Sequence, residues 1–197
     1  MIETANLRLV PCSVAHFEAL LRDEGELASL LRVSLAEDWL GFPAAREAMP
    51  PSYEYLKSHP SAFGWWTYLI VHAADETLIG VGGFKGEASE DGAVEIGYSI
   101  APAYRRRGLA TEAARGMIDH AFSHPPVKRV DAHTLPGKNP STKVLEKVGM
   151  RYVGTVVDPD AGEVWRWSLS RESYEGEKGE ARKALADDSA QPASRQP

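Results

Sequence analysis

Over residues 6–11, Leu7 and Leu9 fall on one side and Arg8 and Val10 on the other, which predicts a strand closed by Pro11. Ser13 then stands where a helix N-cap belongs, followed by Phe17, Leu20 and Leu21 at helical spacing. Leu27, Leu30 and Leu31 repeat the i, i+3, i+4 pattern, and Tyr53 with Leu56 predicts a third, shorter helix after Pro50-Pro51. Between them, residues 39–43 (WLGFP) form an apolar loop, which either packs under a helix or lines a pocket. The period then changes to two. Residues 65–72 (WWTYLIVH) and 78–84 (LIGVGGF) read as strands joined by a hairpin connection at Ala74, Asp75 and Glu76. Residues 93–101 (AVEIGYSIA) place Val94, Ile96, Tyr98 and Ile100 on one face and Glu95, Gly97 and Ser99 on the other, and Pro102 stops the strand. A helix over 108–122 carries Leu109, Ala113, Met117 and Ile118 as its buried stripe and ends at Pro125-Pro126. A strand over 129–135, a helix over 140–148 closed by Gly149, and a hairpin of 151–157 with 163–169 complete the pattern.

After the helical opening the order is β-β-β-α-β-α-β-β. A strand–helix–strand crossover in its middle implies one parallel pair inside a mostly antiparallel sheet. The expectation is a single α+β domain over residues 1–174, with a mixed, mostly antiparallel sheet of about seven strands and flanking helices. Residues 175–197 (EGEKGEARKALADDSAQPASRQP) hold Leu185 as their one large apolar residue, so a disordered tail is expected there.

Composition narrows the setting. The longest apolar stretch, 65–73, is interrupted by Thr67 and His72, and the first residues lack a basic start followed by an apolar run. A single cysteine, Cys12, excludes an internal disulfide framework and a multi-cysteine zinc site. These features make the cytoplasm the expected location, with no membrane partner. The formal charge of −6 and pI near 5.5 argue against a general nucleic-acid binder, so a basic cluster here would serve a local anion. His120 and His124 have helical i, i+4 spacing without a third ligand, and no metal is expected. Gly80, Gly82 and Gly83 fail the dinucleotide spacing and precede no helix; Gly137-Lys138-Asn139 lacks the rest of a phosphate loop.

One stretch is different. Residues 104–112 (YRRRGLATE) lie between a predicted strand and a predicted helix. Gly108 and Ala110 let the backbone approach a ligand, the first helical N–H groups lack internal partners, and the helix dipole adds positive potential. With Arg105, Arg106 and Arg107 this would make a pyrophosphate cradle. The same residues also fit a basic surface turn with a helix cap, and the stretch alone does not separate the two.

Arg105 through Ala110 match the R-x-x-G-x-A pattern of the GCN5-related N-acetyltransferase (GNAT) superfamily. The preceding EIGYSIAPAYR resembles its fourth strand, and NPSTKVLEKVGM (residues 139–150) its second conserved segment. The resemblance covers residues 7–169 by element order, and the combination is most similar to the branch that includes ribosomal-protein N-terminal acetyltransferases. It implies acetyl-CoA as cosubstrate and two neighbouring strands that splay apart. Pantetheine would pair with the edge of Ser99, Ile100 and Ala101, and Asn139 would contact the same arm. The pyrophosphate would rest on the N–H groups of Arg106, Arg107, Gly108, Leu109, Ala110 and Thr111, and the Ile100 N–H would hold the thioester oxygen.

An amine acceptor arrives protonated, so a proton acceptor is needed. Glu95, on the central strand and where many relatives carry a glutamate, is the candidate for base or substrate positioning; a salt bridge to a neighbouring strand or a solvent-facing residue is the plain alternative. Many superfamily members protonate the leaving thiolate with a tyrosine, but that position is Leu145 here. Ser141 resembles the serine of the ribosomal-type branch and would hydrogen-bond the sulfur, although Asn139, Pro140 and Ser141 also make a good helix start without a ligand. Trp39, Phe42, Trp65, Trp66 and Tyr68 are candidates for the acceptor wall, with strand parity dividing them between core and cleft; Trp165 and Trp167 read as structural. His133 is expected to be a satisfied buried histidine, with cleft lining as the alternative. The implied activity is acetyl transfer from acetyl-CoA to a primary amine by direct attack, without a covalent intermediate at Cys12. The acceptor is a protein N-terminus or a small-molecule amine, no nucleic acid is involved, and the chain is a monomer or homodimer. A non-catalytic CoA-binding sensor or interaction module is the alternative, and the missing tyrosine supports it.

Overall fold

The structure is a computed structural model and describes residues 1–159 and 161–189. In chain order the elements are β1 (Ile2–Glu3), β2 (Leu7–Pro11), α1 (Val14–Arg22), α2 (Glu24–Leu31), β3 (Ser34–Leu35), α3 (Pro43–Glu47), α4 (Met49–Ser58), β4 (Thr67–His72), β5 (Thr77–Phe84) and β6 (Ala93–Ile100). They continue with α5 (Leu109–Phe122), β7 (Arg129–Thr134), α6 (Pro140–Lys147), β8 (Arg151–Asp158), β9 (Gly162–Ser170) and α7 (Arg171–Ser189). The strands pair in the order β1-β2-β4-β5-β6-β7-β9-β8, with β3 on β5. The two parallel pairs are β6–β7 and β3–β5; the other neighbours are antiparallel. The sheet has nine strands rather than about seven, because β1 and β3 are two residues each and too short to show an alternation.

The sheet separates two apolar layers. Tyr68, Ile70, Ile79, Val94, Ile96 and Ile100 meet the buried stripe of α5 on one face. Leu69, Val71, Leu78 and Val81 meet Phe17, Leu27, Trp39 and Leu56 from α1, α2, the following loop and α4 on the other. The helix starts follow the residues that sequence marks. Ser13 Oγ accepts from His16 N at 3.2 Å, and the Ser13 N–H returns a bond to His16 Nδ1 at 3.1 Å. Asn139 Oδ1 likewise accepts from Thr142 N at 3.1 Å. The glycines of β5 permit close strand packing rather than phosphate binding: a Cβ on Gly80 would lie 2.2 Å from Ser99 O.

What positions the site is a short register. β6 and β7 pair only at Ala93↔Arg129, Val94↔Val130 and Glu95↔Asp131, although the strands run on to Ile100 and Thr134. Beyond that point β6 keeps its antiparallel partner β5 as far as Gly80↔Ile100, and β7 keeps β9 as far as Thr134↔Trp165. A gap therefore opens in mid-sheet.

The C-terminal segment departs from expectation. Instead of a disordered tail from residue 175, α7 runs from Arg171 to Ser189; the rest of the expected tail, 190–197, lies outside the described residues. The partners that anchor it belong to other elements and are invisible in local composition. Arg171 donates to the carbonyls of Phe122, His124 and Val127 at 2.7–2.9 Å, so it caps the end of α5. The Tyr174 ring packs 4.6 Å from Phe122, its hydroxyl donates to Asp119 at 2.6 Å, and Lys178 pairs with Asp119 at 3.1 Å. Arg171→Leu should strand three carbonyls and lower stability by about 2 kcal/mol. A fall in the urea unfolding midpoint checks this, and an unchanged midpoint would mean that the capping bonds contribute nothing.

Candidate active site

Alternation along β6 decides which main-chain groups reach the gap. Lys85 N donates to Glu95 O at 3.0 Å, and Ala101 N donates to Ile79 O at 2.7 Å, so the odd-numbered residues present N–H and C=O to the β5 side. Ile96, Tyr98 and Ile100 consequently present theirs to the gap. This refines the expected pantetheine edge: Ile100 faces the gap, whereas the main chains of Ser99 and Ala101 turn to β5. Ser99 also gives its hydroxyl to Leu40 O at 2.7 Å, in a buried contact.

The gap opens on one side into a cleft of about 640 Å³ between the start of α5 and the start of α6. Arg106 and Gly108 both have left-handed φ, at 63° and 82°. Such positions turn successive N–H groups toward one concavity, and a non-glycine residue held there costs about 1 kcal/mol or more. The first N–H groups of α5, at Leu109, Ala110 and Thr111, have no intrahelical partner and lie at this wall. Arg105, Arg106, Lys138, Lys143 and Lys147 line the cleft, and among the described residues no acidic side chain does. In a chain of formal charge −6, this is a local concentration of positive charge. Sequence reasoning missed the three lysines, because α6 and the loop before it bring them to the cleft from a segment outside the arginine motif.

The arginines divide their work. Arg105 is held by main chain, donating to Ile100 O and Gly41 O at 2.9 Å each, and ties the apolar loop to the end of β6. Arg107 lies 4.9 Å over the Tyr104 ring and does not line the cleft. Arg106 lines the cleft without either engagement, beside Lys138 and the α6 lysines Lys143 and Lys147.

A second lobe of about 470 Å³ continues past Ile100, Asn139 and Val144 to Tyr98, Ser141, Leu135 and Phe42. Ser141 is exposed at its wall and has no protein hydrogen bond among the described residues. Asn139 has no free amide group: Oδ1 takes the Thr142 N–H, while Nδ2 donates to Leu135 O and Gly137 O at 3.0 and 3.1 Å. Its contribution is to build the helix start. The aromatic wall is smaller than expected. Trp39 is buried and donates to Glu24 at 3.1 Å, Trp65 packs against Phe84, Trp66 stacks on Tyr55, and the buried Tyr68 donates to Gly64 O at 2.7 Å. Phe42 remains, 52% exposed on the second lobe. Strand parity did not sort Trp65 and Trp66, because regular extended geometry begins at Thr67.

Glu95 lies on the opposite face of the sheet, at the last paired position before the gap, with 22% of its side chain exposed. Its Oε1 is 2.5 Å from Lys85 Nζ and 3.0 Å from His133 Nδ1, the latter too poorly aligned for a hydrogen bond. Neighbouring Gly97 is exposed, and a Cβ there would meet nothing within 4 Å. His133 is therefore neither a satisfied buried histidine nor part of either lobe. His120 packs among Trp65, Tyr68 and Phe84, and burial pushes its imidazole pKa down. Among the described residues no group of three metal-ligating side chains occurs.

The fold and the cationic cleft define an acyl-transferase class of protein, and comparison with known proteins agrees. The family model described as "Acetyltransferase (GNAT) domain" matches residues 6–151, and the chain belongs to that family of acetyltransferases. The N-acetyltransferase YjdG of Bacillus subtilis (strain 168), itself uncharacterized, is 29% identical over 149 residues, covering 76% of this chain and 88% of the relative. Two solved structures share the fold. A spermidine N-acetyltransferase SpeG chimera from Vibrio cholerae and hSSAT gives a TM-score of 0.64 at 16% identity, covering 87% of this chain and 99% of that one. RimL, a ribosomal L7/L12 alpha-N-protein acetyltransferase in complex with coenzyme A, gives 0.62 at 14% identity, covering 86% and 97%.

The division among the arginines is directly testable. Arg106→Ala should weaken inorganic pyrophosphate binding about fivefold, the order of one charge-assisted hydrogen bond, while Arg107→Ala should leave it within twofold. Calorimetric titration reads both, and equal losses would overturn the division.

Proposed function

We propose that this acetyltransferase moves an acetyl group from acetyl-CoA to a primary amine by direct attack of the amine on the thioester. The observation that carries the reading is the continuity of the site: an acid-free cationic cleft at the start of α5 leads into a mid-sheet gap with unpaired main-chain groups. The residues present fit the donor. The α5 N–H groups, Arg106, Lys138, Lys143 and Lys147 suit its phosphates, and the free edge of β6 suits the two amides of pantetheine. The N–H groups of Tyr98 and Ile100 face the space for the thioester, where one such donor contributes about 3 kcal/mol as the oxygen gains charge. Ser141 would hydrogen-bond the departing sulfur. Glu95 faces the other side of the gap, where an amine can approach over Gly97. Holding amine and thioester in register supplies much of the acceleration. Cys12 supports direct transfer, because burial pushes its thiol pKa up and keeps it protonated.

Leu145, buried where a thiolate-protonating tyrosine stands in many relatives, favours a second reading in which the chain binds coenzyme A without turnover. Release of free thiol from acetyl-CoA separates the two. Spermidine, an aminoglycoside and a peptide with N-terminal serine represent the amine classes. At least one should release thiol in parallel with acetylated product, and coenzyme A binding without turnover on any of them would favour the second reading. Glu95→Gln should slow turnover at least tenfold with coenzyme A affinity within twofold. Gly108→Glu should weaken coenzyme A at least tenfold while the circular dichroism stays native, since a Cβ there meets no neighbour but a negative charge would meet the phosphates. Gly108→Ala controls for the left-handed backbone, and equal affinity in the Glu and wild-type proteins would remove the phosphates from this corner.

A further inference from the structure

We propose that His133, oriented by Glu95, is the catalytic base that takes the proton from the incoming amine. This rests on the acetyl-transfer reading above and assigns a residue within it. Three observations converge. First, the β6–β7 pairing ends at Glu95↔Asp131, so His133, two residues further along β7, flanks the point where the strands part. Alternation puts it on the same face as Glu95 and Gly97. Second, that face is open over Gly97, which leaves space for an acceptor beside the gap. Third, His133 Nδ1 is buried, lacks an aligned hydrogen bond and lies 3.0 Å from Glu95 Oε1, whereas 23% of the side chain remains exposed. Nε2 has no protein partner among the described residues.

A small rotation would align an Nδ1–H with Glu95 and leave the Nε2 lone pair free. A carboxylate so placed fixes the tautomer and stabilises the imidazolium that forms when Nε2 is protonated. Glu95 is less suited to be the final proton acceptor, because its Oε1 already meets the Lys85 ammonium at 2.5 Å. The other charged groups around the ring are accounted for. Asp131, on the same strand, is ion-paired to Arg129 at 3.1 Å and to Arg166 at 2.8 Å. Arg166 stands opposite His133 in the β7–β9 register.

The protons balance without a further reactant. The ammonium gives one proton to His133 Nε2 and becomes a nucleophilic amine. Its nitrogen forms a bond to the thioester carbon, and the C–S bond breaks with its electron pair on sulfur. The second nitrogen proton goes to the thiolate, through Ser141 or water, and the imidazolium returns its proton to solvent.

Two measurements on the full chain decide the matter. In protein labelled with ¹⁵N-histidine and saturated with coenzyme A, His133 should be the Nδ1–H tautomer at pH 8. Glu95→Gln should abolish that preference and lower the pH at which the ring protonates. An Nε2–H tautomer, or identical titrations in the two proteins, would overturn the proposal. In thiol release with whichever of the three amines the wild type turns over fastest, His133→Gln should lower kcat about 100-fold at pH 7. KM for acetyl-CoA should stay within twofold, and the deficit should shrink as pH rises and the amine loses its own proton. Retained coenzyme A affinity certifies that the variant is folded. Wild-type rates in His133→Gln at every pH would overturn the role of His133 alone; a wild-type protein silent toward all three amines would overturn the acetyl-transfer reading and the base with it.

Discussion

Ile96, Tyr98 and Ile100 each carry a main-chain donor and acceptor toward β7, and beyond the Ile96 N–H, which closes the Glu95↔Asp131 pair, the strand pairing stops. Leaving such groups buried and unpaired costs about 1–3 kcal/mol each, so a gap in mid-sheet persists only where water or a ligand can satisfy it. Two of these six groups are met from within the chain: the Ile96 N–H by Asp131 O, the bond that closes the Glu95↔Asp131 pair, and Ile100 O by Arg105 Nε. The remainder form a free edge inside a sheet that is otherwise paired on both sides of the opening. Because β6 keeps β5 and β7 keeps β9, the gap can exist without loosening either half. The gap is thus framed by two paired strands, each held by its own antiparallel neighbour.

Around that opening the two faces of the sheet have different chemistry. On the α5–α6 face, main-chain N–H groups and cations gather without a carboxylate among them. On the other, Glu95 is shared between Lys85 and His133, and Gly97 leaves the surface bare. Under the proposed function, a long anionic donor would lie against the first face and an amine would approach over the second, the two meeting through the gap. The overall charge of −6 says nothing of this, since the separation of charge is local and each cluster draws on distant segments.

Much of this was legible because its cause is local. The extents of β6, α5 and α6 follow from alternation, a helical stripe and caps within a few residues of one another. Gly108 and Asn139 mark helix starts because only a few residue types supply left-handed backbone or a side-chain acceptor there. The arginine motif and the second conserved segment gave the family resemblance that the family comparison bears out. The errors arose where partners are far apart in sequence. Arg105, Arg106 and Arg107 look equivalent in the chain but meet respectively the carbonyls of Ile100 and Gly41, the cleft, and the Tyr104 ring. Residues 175–189 of the expected tail belong to a helix held by Arg171, Tyr174 and Lys178, whose partners lie about fifty residues earlier. The two-residue strands β1 and β3 carry too little pattern to be read at all.

Sequence by itself determined the α+β order, the single crossover that makes β6 and β7 parallel, the helix starts beside the cleft and the family. These rest on periodicity, capping and motif spacing, which are properties of neighbouring residues. Only the tertiary structure decided how far the parallel register runs, which of the arginines is free, that Lys138, Lys143 and Lys147 share one wall, and that His133 stands beside Glu95. Each of those is a distance between segments brought together by packing, and no local pattern encodes it.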